Sequence, residues 1–181
     1  MPLKIRKTLY HTIFDAHLNF GILLWGCAKG KLHKKIENLQ KKCIRNIYLA
    51  KYNAHTQPIF KKLGILNFTD KITLFRSLFM NQYRNKKLPE SFNNKFKDIT
   101  CTDQLQTRHN DYNYQNIPAL KKTLESFPLK CMLKTWNSLS INVKSTADST
   151  EFQNTLKQEL FSKYSSDFRC ENITCYSCTQ I

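Results

Sequence analysis

From Lys31 to Tyr48 apolar residues recur at Leu32, Ile36, Leu39, Cys43 and Ile47, in steps of four, three, four and four. That period predicts a helix with those five on one inward stripe. Upstream, Leu9, Ile13, Phe14, Leu18 and Ile22 predict a helix, or a kinked pair of helices, from Lys4 to about Trp25, bent near Gly21; Gly30 then breaks the chain. The stretch "NAHTQPIFKKLGIL" offers Thr56 as N-cap, Pro58 in the first turn and Gly64 as the stop of a short helix. Thr69 opens another, with Ile72, Phe75, Leu78, Phe79 and Tyr83 facing inward.

Between Lys86 and Ser126 the period fades into Asn, Asp and Thr, which predicts a short helical turn after Pro89 and then a long irregular segment. Order returns at "SFPLKCMLKTWNSL", where Ser126 can cap, Pro128 enters the first turn, and Leu129, Met132, Leu133 and Trp136 share a face. Asp148 three residues before Glu151 resembles a capping box that opens a last helix burying Phe152, Leu156, Leu160 and Tyr164. The expectation is a mostly α fold, a small helical bundle with an irregular segment, a C-terminal helix and a cysteine-containing tail. It divides into a bundle over 1–85, a connecting segment over 86–126, helices over 127–168 and a tail over 169–181.

A chain of 181 residues with 41% hydrophobic residues can fill a core, so charge sets the next question. Lysine and arginine outnumber aspartate and glutamate 29 to 13, a net charge of +16 that strains a compact state lacking a polyanionic partner. RNA, DNA or their hybrid is the leading partner class and an anionic membrane surface the second. The longest apolar run, Phe20 to Ala28, is shorter than the roughly 20 residues of a membrane span, and no signal-peptide pattern follows Met1. Seven cysteines, an odd number, with Cys27, Cys43, Cys101 and Cys131 in apolar surroundings, point to reduced thiols and a location in cytoplasm or nucleus.

On a helical wheel Lys31, Lys34, Lys41, Lys42 and Arg45 fall opposite the Leu32/Ile36/Leu39/Cys43/Ile47 stripe. Two readings stand side by side, a solvated face and a ridge that contacts phosphates without regard to sequence. Tyr112 and Tyr114, beside Arg108 in "RHNDYNYQN", alternate with polar residues and could stack on bases, or pack like the other aromatics. In the tail, Cys170, Cys175 and Cys178 have a C-x4-C-x2-C spacing that zinc can bridge, but three thiolates leave the set one ligand short, and a reduced tail is the alternative. The five histidines are dispersed; His55 reads as structural and His17 as a packed imidazole. Four widely spaced glycines make no phosphate loop.

Several segments in one order, "LYHTIFDAHLNFGILLWG", "LQKKCIRNIY", "AHTQPIFKKLGILNFTDKITLF", "LPESF", "TRHN", "WNSL" and "EFQNTLKQELFSKY", resemble the region that follows the catalytic palm in reverse transcriptases of jockey-like non-LTR retrotransposons. The resemblance spans nearly the whole chain. It implies a thumb-like helical bundle docked on a palm, with one helix lying along the phosphates of template and nascent strand, and it favours the contact reading of the Lys31–Arg45 ridge. It further implies a fragment or truncated copy without fingers, palm or endonuclease. A nucleotidyl-transferring polymerase needs carboxylates that hold two metal ions, and the sequence has no Asp-Asp pair, so no polymerase activity is expected of this chain alone. The alternative is a stand-alone basic helical protein that binds a protein partner or an anionic membrane surface.

Overall fold

The spacing of apolar positions at three and four residues is realised as helix throughout. The computed structural model describes residues 1–28, 30–97, 112–115, 127–146 and 148–164. Within them the elements run α1 (Leu3–Leu9), a π-helical segment (Tyr10–Asp15), α2 (Ala16–Asn19), α3 (Ile22–Trp25), α4 (Lys31–Tyr48), α5 (Gln57–Leu63), α6 (Phe68–Arg84), a 3-10 turn (Glu90–Phe92), α7 (Pro128–Asn137), α8 (Ile141–Lys144) and α9 (Ser149–Ser162). The fold is mostly α. The expected Ser126 cap, most of the expected irregular segment and the whole cysteine tail lie outside the described residues.

The chain divides into two compact units that do not follow chain order, one of Met1–Ile22, Ala28–Lys71 and Glu159–Ile181, the other of Leu23–Cys27 and Ile72–Gln158. In the first unit α4 packs beside α1 and α5, around a core that includes Leu18, Ile22, Ile44, Ile47, Ile59, Phe60, Leu63 and Phe68. The π-helical segment explains a departure from the expected stripe. Residues five apart lie about 140° apart round an α-helix but stack in a π-helix, whose bonds run between residues five apart. Tyr10 and Asp15 are therefore both buried, while Leu9 and Ile13, expected inside, are exposed. Asp15 forms an ion pair with the buried Lys71 and accepts from His11 Nδ1 at 3.2 Å when that nitrogen carries the proton. The bend near Gly21 is present, with glycine in the left-handed region at φ 65°.

α5 carries the punctuation read from the sequence. Pro58 sits in the first turn and Gly64 terminates the helix at φ 64°, although the Thr56 hydroxyl makes no capping bond. α6 begins one residue before the expected Thr69. Its cap is Asn67, whose Oδ1 accepts the amide of Asp70 at 2.8 Å. Tyr164 locks this corner: its hydroxyl donates to Asp70 Oδ2 at 2.6 Å and accepts the Asn67 amide at 2.9 Å.

In the second unit Trp136 of α7 is fully buried, stacked on Phe152 of α9 at 5.9 Å between centroids, and Met132, Leu133, Val143 and Leu156 are buried in the same unit. The face expected of α7 is the one that packs. Asp148 caps α9 by accepting the amides of Thr150 at 3.0 Å and Glu151 at 2.9 Å, and these bonds, that from Glu151 foremost, hold its carboxyl below the usual carboxylate range. The contribution of that cap is present above the ordinary carboxylate pKa and is lost as pH falls through the depressed one. Of the residues of α6 expected inward, Ile72 is buried, and Phe75, Leu78, Phe79 and Tyr83 are half-buried; Leu74, Ser77, Met80 and Asn81 fill the deepest positions. The helix has turned slightly because Ser77 can be buried at no polar cost, its hydroxyl donating to Thr73 O at 2.8 Å.

Candidate nucleic-acid interface

α4 has the bounds that the sequence predicts, Lys31–Tyr48, but a different inward face. Its buried residues are Gln40, Ile44 and Ile47, whereas Leu32 and Leu39 are 67% and 52% exposed. At about 100° per residue the buried face is rotated by roughly 70° from the apolar stripe. A buried glutamine centres it. The Gln40 side chain is 0% exposed and donates from Nε2 to Tyr10 Oη at 2.9 Å and to Leu66 O at 3.0 Å. With both hydrogens of its amide nitrogen so bonded, and Oε1 buried without a hydrogen-bond partner among the described residues, the side chain occupies a core position that hydropathy assigns to solvent.

The rotation reorders the basic residues. Lys31, Lys34 and Lys42 are exposed, and so is Lys35, which the sequence reading left out. Lys41 is half-buried and paired with Glu37 at 2.9 Å, and Arg45 is half-buried with its Nε donating to Ala54 O at 2.8 Å. Lys41 braces the helix itself, and Arg45 ties it to the following turn. The face diametrically opposite Gln40 is now Lys31, Lys35, Asn38 and Lys42, at steps of four, three and four. The ridge is about 17 Å long at 1.5 Å per residue.

Carboxylates are scarce around it. Among the described residues of the first unit they are Asp15, Glu37, Asp70 and Glu159. Asp15 is buried against Lys71, Glu37 is held by Lys41, and Asp70 accepts from Asn67 and Tyr164. Lys31, Lys34, Lys35 and Lys42 have no ion-pair partner among the described residues. Four neighbouring ammonium groups on one solvent face repel one another and are relieved by an anion that spans them.

The tyrosines behave differently. Tyr114 is 7% exposed, enclosed by Tyr83 and Phe96 with centroids 5.7 and 5.9 Å away, and Asn137 fastens its backbone, accepting from its amide at 3.2 Å and donating to its carbonyl at 2.9 Å. It offers no open ring face, which corrects the stacking reading for this residue. Tyr112 is half-buried, with the Arg84 guanidinium 4.4 Å from its ring centroid and its carbonyl accepting from Trp136 Nε1 at 2.8 Å. Arg84 already occupies a face of that ring. Arg108, Cys170, Cys175 and Cys178 lie outside the described residues, and among those described no group of His, Cys, Asp or Glu is placed to hold a metal ion. No described helix is long and apolar enough to cross a membrane.

Burial shifts several groups of the first unit. It pushes the Tyr10 phenol up to about 12 and Tyr164 higher still, and it lowers the Lys71 ammonium to about 8, against the pull of the adjoining Asp15 carboxylate. His11 is lowered by burial and then by Lys7 and Lys71. For Tyr10 the sign is that of an acid kept neutral by the fold: its contribution is whole below the unfolded pKa near 10 and disappears as pH rises toward 12. Wild type should therefore lose about 2 kcal/mol more stability than Tyr10→Phe between pH 10 and pH 12. Urea unfolding of both proteins across that range measures the difference, and parallel curves would place Tyr10 in solvent.

Comparison with known proteins returns no matching family model, no matching curated protein and no matching solved structure.

Proposed function

We propose that this chain is a nucleic-acid-binding module that grips the sugar-phosphate backbone of RNA, DNA or an RNA–DNA hybrid along α4. The observation that carries this reading is the ridge of Lys31, Lys35 and Lys42, with Lys34 at its side, exposed opposite the buried Gln40 and without carboxylate partners among the described residues. Each ammonium is a compact charge on a flexible stem, suited to any phosphate and blind to base identity. The resemblance of the chain to the region after the palm in non-LTR retrotransposon reverse transcriptases supports a finer version. In that version α4 follows template and nascent strand when the chain is joined to a palm, and the chain alone is not catalytic.

A second reading draws on Leu32 and Leu39, which lie exposed beside the lysines. Lysine and leucine sharing one face also suit an anionic membrane surface or a protein partner. Equilibrium binding separates the two. The purified chain should bind unrelated single-stranded, duplex and hybrid oligonucleotides with affinities within about tenfold of one another, as backbone contacts require. Binding to anionic vesicles with none to oligonucleotides would favour the second reading.

A further inference from the structure

Two thiols of the second unit adjoin each other beside a guanidinium. Cys27 follows α3, its amide donating to Leu24 O at 3.4 Å; the residue is 3% exposed and its thiol is directed at Leu23 O, 3.6 Å away. Cys131 lies one turn into α7, is half-buried, and stands within hydrogen-bonding reach of the Cys27 sulfur. Arg76 of α6 completes the group: its Nη2 is 3.3 Å from Cys27 Sγ and donates to Gly26 O at 3.1 Å, so the guanidinium is fixed against the sulfur. Neither sulfur is joined in a disulfide here.

We propose that Cys27 and Cys131 are a reversible disulfide pair, closed by a peroxide and reopened by a dithiol. Cys131, the more accessible sulfur, reacts first. Its thiolate attacks one oxygen of the peroxide, the O–O bond breaks, and the departing hydroxide takes up a proton and leaves as water, so that Cys131 becomes a sulfenic acid. The Cys27 sulfur then attacks the Cys131 sulfur. An S–S bond forms, the S–O bond breaks, and the leaving hydroxide accepts the Cys27 proton as a second water. Two thiols are oxidised by two electrons, and one hydrogen peroxide is reduced to two waters. Arg76 promotes the second step by stabilising negative charge on Cys27 as its proton departs. Burial pushes the Cys27 thiol up and Arg76 pulls it down, which keeps the sulfur protonated at rest and leaves its activation to the guanidinium.

The test uses the full chain with Cys43, Cys101, Cys170, Cys175 and Cys178 replaced by serine, treated with hydrogen peroxide, alkylated and mapped by mass under non-reducing conditions. The expected result is a Cys27–Cys131 cross-linked peptide that disappears on dithiothreitol. The oxidised form should also melt about 10 °C higher, since the bond closes a long loop of the unfolded chain. Arg76→Gln should slow closure about tenfold with the far-ultraviolet circular dichroism unchanged. Two thiols still open to alkylation after peroxide, sulfinic acid without a cross-link, or a bond between two chains would each overturn the proposal. The same peptide is sought in the unaltered chain, where its absence after oxidation counts equally against it.

Discussion

Ile44→Ala should destabilise the protein by about 2 to 5 kcal/mol, whereas Leu39→Ala should change its stability by no more than about 0.5 kcal/mol. Ile44 is 0% exposed at the centre of the inward face of α4, so its loss removes buried area and leaves a cavity. Leu39 lies little more than a turn away and faces outward, so truncating it leaves no cavity. Urea unfolding of the two variants checks the pair. Equal losses at both positions would mean that α4 packs by its apolar stripe, and the lysine ridge would then be centred differently.

Charge reversal at Lys31, Lys35 and Lys42 together should weaken binding to a hybrid oligonucleotide by about 100-fold or more at low salt, since three phosphate contacts become three repulsions. The melting temperature should hardly move, because these side chains are exposed and have no ion-pair partner among the described residues. Reversal of Lys41 and Arg45 should behave in the opposite sense, costing some helix stability through Glu37 and the Ala54 carbonyl and affecting binding less. Fluorescence anisotropy with thermal unfolding of the same samples separates the outcomes. A triple variant that binds as tightly as wild type would remove the ridge from the interface.

The longer helices and several of their ends were legible because local chemistry writes them, whereas α8 was not. Gly30 and Tyr48 bracket α4, Pro58 and Gly64 punctuate α5, and Asp148 supplies a cap that α9 uses. The inward face of α7 was legible too, since Trp136, Met132 and Leu133 have no polar rival on that side. What period alone could not give was the direction of α4. Gln40 is buried because Tyr10 and the Leu66 carbonyl wait for its amide, and both partners are at least 26 residues away in sequence. With Gln40 counted as polar, the wheel turned toward Leu32 and Leu39 and left Lys35 out of the ridge. The π-helical segment misled in the same manner, as a period of 3.6 cannot bring Tyr10 and Asp15 to one side. Tyr114 looked solvent-facing between polar neighbours, yet its contacts come from Tyr83, Phe96 and Asn137, each more than a dozen positions off. The grouping of distant segments into two units rests on contacts of the same long-range kind.

The most direct test of phosphate contact is the dependence of log K on log salt for the unaltered chain and an oligonucleotide of arbitrary sequence. Four lysines on α4 without ion-pair partners among the described residues predict a slope of about −3 or steeper, at roughly 0.7 to 0.9 per phosphate neutralised, with the slope becoming shallower by about 2 to 3 in the Lys31, Lys35 and Lys42 charge-reversal variant. A flat dependence in the wild-type chain would contradict the assignment of α4 to the nucleic-acid backbone.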